Sequence, residues 1–153
     1  MHLVSAPLAS SDSTLPGIPI RTDRIILAKR LWRGAAEDGT EFGFELSAPL
    51  QHGDIVFQTA AARYVITQQP ELVVEISLDL APSSAASIGW AIGNLHLELS
   101  AEPTRLIAAD ETTVRQLLDR LMVPYRSTAV IFRPGRFSRG ELPAHDLGPG
   151  HRH

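Results

Sequence analysis

The sequence predicts an α+β protein, a small all-β N-terminal domain followed by a ferredoxin-like domain of order β-α-β-β-α-β. Three observations carry this. Strand-period alternation, with a hairpin signal, fills the first half. Past Pro70 the pattern alternates between strand and helix period. The 153 residues, 44% of them hydrophobic, suffice for one ordinary domain or two small ones.

Residues 1–17, rich in Ser, Ala and Pro, have neither the basic start nor the unbroken apolar run of a secretory signal. They read as a disordered N-terminal extension. The all-β domain is expected over residues 18–69. Its first elements are the apolar runs Ile25-Ile26-Leu27 and Leu31-Trp32. Asp38-Gly39 is a hairpin signal. Phe42, Phe44 and Leu46 then alternate with Glu41, Gly43 and Glu45. Ile55-Val56-Phe57 and Tyr64-Val65-Ile66 flank a turn of small residues and predict a second hairpin.

Gln68-Gln69-Pro70 marks the boundary to a second domain over residues 70–133. Leu72, Val74, Ile76 and Leu78 predict a strand. Pro82 opens a helix, and Gly93-Asn94 stops it. Leu95, Leu97 and Leu99 alternate with His96, Glu98 and Ser100, which predicts a strand with His96 on its polar face. Leu106-Ile107 is a further short strand. Asp110 is placed as an N-cap for the helix carrying Val114, Leu117, Leu118 and Leu121. A final strand is expected from Tyr125 to Phe132. Residues 134–153 hold three Pro, four Gly and three His and read as a flexible His-containing tail.

A net charge of −3 offers no general attraction to nucleic acid or to anionic membrane, and no apolar run is long enough to span a bilayer. The ferredoxin-like strands lack the aromatics with which RNA-binding modules of that order stack bases. Cysteine is absent, which excludes disulfides, thiolate zinc sites, iron–sulfur clusters and cysteine nucleophiles. There is no Ser/His/Asp order and no phosphate-binding glycine loop. The features do not point to an enzyme. A metal would need His, Asp, Glu or backbone oxygen, a donor set that favours nickel, copper or zinc.

His96 is the most informative residue. Read alone, it is a solvated histidine on a strand. One imidazole makes a poor site, but at a two-fold axis each copy meets its own counterpart and the ligands double. His145, His151 and His153 lie in the tail, where the His-x-His pair can chelate a borderline metal. His2 and His52 read as inert and as a surface loop residue.

Taken together, a β domain, a ferredoxin-like domain with Gly93-Asn94-Leu95-His96 and a His-bearing tail resemble the UreE family of urease accessory proteins, the nickel metallochaperones. The resemblance covers residues 18–153. The run Trp90 to Leu99 is similar to the family signature [YW]-H-[LI]-G-N-R-H-x-P-L. Gly53-Asp54-Ile55-Val56 is similar to its G-D-V-L strand entry, and Asp110 to Met122 to the helix that follows. The chain departs from the signature at Ala91, where many members have His, at Leu95 in place of Arg, and at Glu98 in place of Pro. The resemblance implies a cytoplasmic homodimer that is not an enzyme. His96 from two chains would hold one Ni²⁺, with Zn²⁺ or Cu²⁺ as substitutes in vitro, and His145, His151 and His153 would complete the shell. The cargo would pass to a urease accessory GTPase and the urease apoprotein. The alternative is a metal-independent scaffold that binds a protein partner through its β domain.

Overall fold

A computed structural model describes residues 1–135, which divide into two compact units. The first comprises residues 1–71 with 129–131, the second residues 72–128 with 132 onward. Helices and strands together make the chain α+β.

The first unit is built on two three-stranded sheets. β1 (His2–Val4), β4 (Glu41–Glu45) and β3 (Leu31–Ala35) form one, in the order β1-β4-β3. β2 (Gly17–Thr22), β6 (Arg63–Gln68) and β5 (Ile55–Gln58) form the other, in the order β2-β6-β5. The expected alternation places Phe42 and Phe44 in the core, where Phe44 stacks on Trp32 at 3.9 Å between ring centres and the two pair across the ladder. The β3–β4 hairpin closes where expected. Gly39 takes φ 87°, a conformation open to glycine, and the Asp38 carboxylate accepts the Thr40 amide at 2.9 Å.

Two expectations for this unit are corrected. Residues 2–4 were expected to belong to a disordered extension, yet β1 pairs in parallel with β4 and buries Val4. The pairing satisfies backbone groups that composition alone says nothing about, and the His2 ring stacks on Phe57 at 4.3 Å. Nor is the unit wholly β. Arg24–Leu27 form one helical turn, α1, because the Asp23 side chain caps the Ile26 amide at 2.7 Å.

The second unit runs β7 (Glu71–Ser77, its first residue in the first unit), α2 (Pro82–Asn94), β8 (Leu99–Ala101), β9 (Arg105–Ala109), α3 (Thr112–Arg120) and β10 (Arg126–Val130, its last two residues in the first unit). The sheet order is β10-β7-β9-β8, with β9 antiparallel to both β7 and β8. Val74 and Ile76 of β7 and Leu106 and Ala108 of β9 face one core with Ile88 and Ile92 of α2 and Val114 and Leu118 of α3. Helical spacing sets the contacts of both helices, i to i+4 in each.

Three details depart from the expected elements. The strand expected from Leu95 begins only at Leu99. Asp110 does not cap α3; Glu111 occupies the cap position, without a side-chain bond. Asp110 instead binds Arg115 through both carboxylate oxygens (2.5 and 2.7 Å) and accepts the Ser127 hydroxyl, joining α3 to β10. The last strand is shorter than expected and ends at Val130.

Candidate metal-binding residues

His96 does not lie in a strand. Leu95 is the C-cap of α2, and His96 follows with φ 59°, in the left-handed region. Its amide donates to the Gly93 carbonyl at 2.9 Å, and the Leu95 amide donates to Ile92 at 3.1 Å. Helices often end on one left-handed residue, usually glycine, and His is among the side chains that tolerate the position best. The reversal has a packing reason. Leu95 is exposed, whereas Leu97 and Leu99 pack back against the core of the second unit. The imidazole is therefore presented just past the end of a helix, exposed to solvent.

The electrostatics there favour a cation. The carbonyl end of a helix carries partial negative charge, and the last turn of α2 has no basic side chain to neutralise it. Several carboxylates of the same unit are already committed to arginines. Glu75 binds Arg105 and Arg126, each at 2.7 Å, and these hydrogen bonds hold its carboxyl below the usual range. Glu102 binds Arg105 at 2.6 Å. Hydrogen bonds from Arg115 and Ser127 bring the carboxyl of Asp110 down to about 2.

Among the described residues no three His, Cys, Asp or Glu side chains come together as a metal cluster. His145, His151 and His153 lie outside those residues. Glu98, two positions past His96, is exposed. His52 is more than a loop residue, since its Nδ1 accepts the Gln68 amide at 3.1 Å.

One feature beside His96 went unread in the sequence. The outer face of α2 and the chain just past α3 leave large apolar groups in solvent: Trp90 is 71% exposed, Leu121 44% and Met122 89%. Trp90, Ala91 and Ile88 border an open groove with Ser83, Ser87 and Leu121. The signal was available. Ile88 and Ile92 define the buried stripe, and Trp90 falls midway between them, on the far side of a 3.6-residue helix.

The family model for the UreE urease accessory protein, C-terminal domain, matches residues 71–153, more than half of the chain. Three curated relatives are each called urease accessory protein UreE. That of Geobacillus kaustophilus is 28% identical over 131 residues, which are 81% of this chain and 88% of its own. That of Rhodobacter capsulatus is 29% identical over 136 residues, 85% of this chain and 81% of its own. That of Bifidobacterium longum subsp. infantis is 31% identical over 97 residues, 63% of this chain but only 43% of the relative's length. A left-handed histidine past α2 thus lies within the segment that the family model matches, and the chain belongs to the UreE family of urease accessory proteins, which are not enzymes.

Proposed function

We propose that the chain is a cytoplasmic nickel chaperone for urease assembly. Two copies would pair through the second unit, read as a ferredoxin-like sandwich, and each His96 would give one imidazole to a shared Ni²⁺. The observation that carries this reading is the exposed His96 at the carbonyl end of α2, six residues from the exposed Trp90. A protein normally buries so large an apolar group, so Trp90, Leu121 and Met122 suit a face that a second copy covers.

Imidazole suits Ni²⁺, and a site shared between chains can open to release its cargo. His145, His151 and His153 would add ligands. Zn²⁺ and Cu²⁺ would compete for the same donors in vitro. The cargo would be handed to the urease accessory GTPase and thence to the urease apoprotein. No helix among the described residues is long and apolar enough to cross a membrane.

The test is isothermal titration of wild type and His96→Ala with Ni²⁺, alongside sedimentation. One tight Ni²⁺ per dimer that disappears in His96→Ala is the expected result. A variant that keeps the tight site excludes His96 as the principal ligand. A wild type that binds Ni²⁺ no better than a His-containing control favours the scaffold reading.

A further inference from the structure

Three cations of the first unit lie close together in the chain with no carboxylate bound to them. Among the described residues Lys29, Arg30 and Arg33 are exposed and take part in no ion pair. Leu31, in their midst, leaves 75% of its surface in solvent. The chain as a whole carries −3, so this stretch is a local reversal of its sign.

Leu31 and Arg33 belong to β3, an edge strand of the order β1-β4-β3. In an antiparallel ladder alternate residues turn their backbone groups toward the neighbour. The Leu46 amide donates to the Arg30 carbonyl and the Ala36 amide to the Thr40 carbonyl (2.8 and 2.9 Å), which gives the even-numbered residues of β3 to β4. The odd-numbered Leu31, Arg33 and Ala35 therefore turn their N–H and C=O groups outward. Glu37 has the same parity, and its amide does point away, donating to the Pro19 carbonyl of β2 at 3.0 Å. β2 thus takes the edge past Ala35, while from Leu31 to Ala35 β3 pairs, among the described strands, with β4 alone.

Free ladder groups on an edge invite another strand, and a charged side chain is one of the usual guards. Arg33 stands at the centre of the open stretch. It repels a second copy of β3, because antiparallel pairing centred there sets like charges against each other. It admits a strand with a carboxylate at that place. Glu41 and Glu45 of β4 share the outer face with Arg33. An added strand lies about 4.8 Å from β3 but about 9.6 Å from β4. The second distance is close to the screening length of about 8–10 Å at ordinary ionic strength, so Arg33 outweighs the two glutamates.

We propose that the β3 edge is a docking site for an extended acidic segment of a partner protein. The segment adds antiparallel to β3, the slightly more stable pairing. It sets a carboxylate against Arg33, an apolar side chain against Leu31 and a further carboxylate near Lys29 and Arg30. Main-chain hydrogen bonds supply affinity and the alternate side chains selectivity. Every residue of the site belongs to the first unit, so the site is independent of the nickel reading of His96.

The probe is a synthetic peptide, Val-Thr-Glu-Thr-Leu-Thr-Glu, labelled with a fluorophore, titrated with the full chain and read by anisotropy. Its first Glu and its Leu face Arg33 and Leu31. Arg33→Glu should weaken binding about fivefold or more. A peptide with Lys in place of the first Glu should reverse the preference and bind Arg33→Glu better than wild type, which also shows that the variant is folded. N-methylation of the first Glu and of Leu removes donors aimed at β3 and should abolish binding, whereas N-methylation of the intervening Thr residues should not. No binding of the peptide by wild type overturns the proposal, as do equal binding by wild type and Arg33→Glu and equal effects of the two methylations. Arg33-dependent binding of phosphatidylserine vesicles or of single-stranded DNA, without binding of the peptide, gives the cations to another class of partner and overturns it too.

Discussion

The His96 amide donates to the Gly93 carbonyl at 2.9 Å while His96 itself holds φ 59°, so the residue offering the imidazole is also the residue that ends α2. Candidate ligand and helix stop occupy one position. A glycine would serve the stop better, because a Cβ in the left-handed region costs about 1 kcal/mol. The histidine ends the helix at some expense to the fold.

That relationship separates stability from binding. His96→Gly should leave the protein as stable as wild type or raise it by up to about 1 kcal/mol, and should abolish the proposed nickel site. His96→Val, β-branched, should lose the site and also destabilise by about 1–2 kcal/mol. Chemical denaturation of the metal-free proteins checks both. A His96→Gly protein much less stable than wild type would mean that the imidazole itself holds the turn.

Acid should act on the second unit through Asp110. Its side chain is only 2% exposed, and the hydrogen bonds of Arg115 and Ser127 hold its carboxyl at about 2 against an ordinary 3.8. A carboxylate with a depressed folded-state value contributes stability above its unfolded value and loses it as pH falls through the folded one. The contribution should therefore be complete above about pH 4 and vanish between about 4 and 2. Because Arg115 is half-exposed, the contribution is about 1–2 kcal/mol. Asp110→Asn should cost about that much at pH 7 and flatten the acid limb of the stability curve, as followed by urea unfolding at a series of pH values.

The order of elements was legible from Leu31 onward because alternation and helical spacing survive in single residues, whereas β2 and the single turn of α1 before it were not. Phe42 and Phe44 mark β4, and Val114 and Leu118 mark α3, with no tertiary information needed. β1 was not legible. Its three residues have no period to read, and only pairing with Phe42, Gly43 and Phe44 makes them a strand. His96 was singled out correctly as a residue but assigned to the wrong local structure. Leu95, Leu97 and Leu99 mimic strand alternation, yet Leu95 caps a helix and the chain reverses at His96 before Leu97. Nothing in an apolar-polar pattern distinguishes a strand from a left-handed turn leading into one. Asp110 fails similarly: it has the right composition for an N-cap, but two hydrogen-bond partners distant in sequence claim it.

The first unit should depend on its aromatic cluster. Phe42 is fully buried, 5.1 Å from the ring of Tyr64 and near those of Phe44 and Phe57. Phe42→Ala should cost about 3–5 kcal/mol, and Phe42→Leu, which keeps most of the volume, clearly less. Equilibrium unfolding in urea measures both. Similar small losses for the two would mean that the site collapses around the missing ring.

Trp90 gives the sharpest test of the shared site, because it is exposed and is not a metal ligand. Ile88 and Ile92, not Trp90, bury α2 against the sheet, so Trp90→Glu should leave the monomer folded and change its stability by about 0.5 kcal/mol at most. On the proposed dimer the same substitution places a charge where two copies meet, and sedimentation should then show monomers. His96 is untouched in that variant, yet each monomer holds only one imidazole of the pair. Nickel binding should fall sharply although every candidate ligand remains in the chain. The two measurements must move together. A monomeric Trp90→Glu protein that binds Ni²⁺ as tightly as wild type would place the whole site within one chain. A variant that stays dimeric and keeps its nickel would mean that a different surface joins the copies.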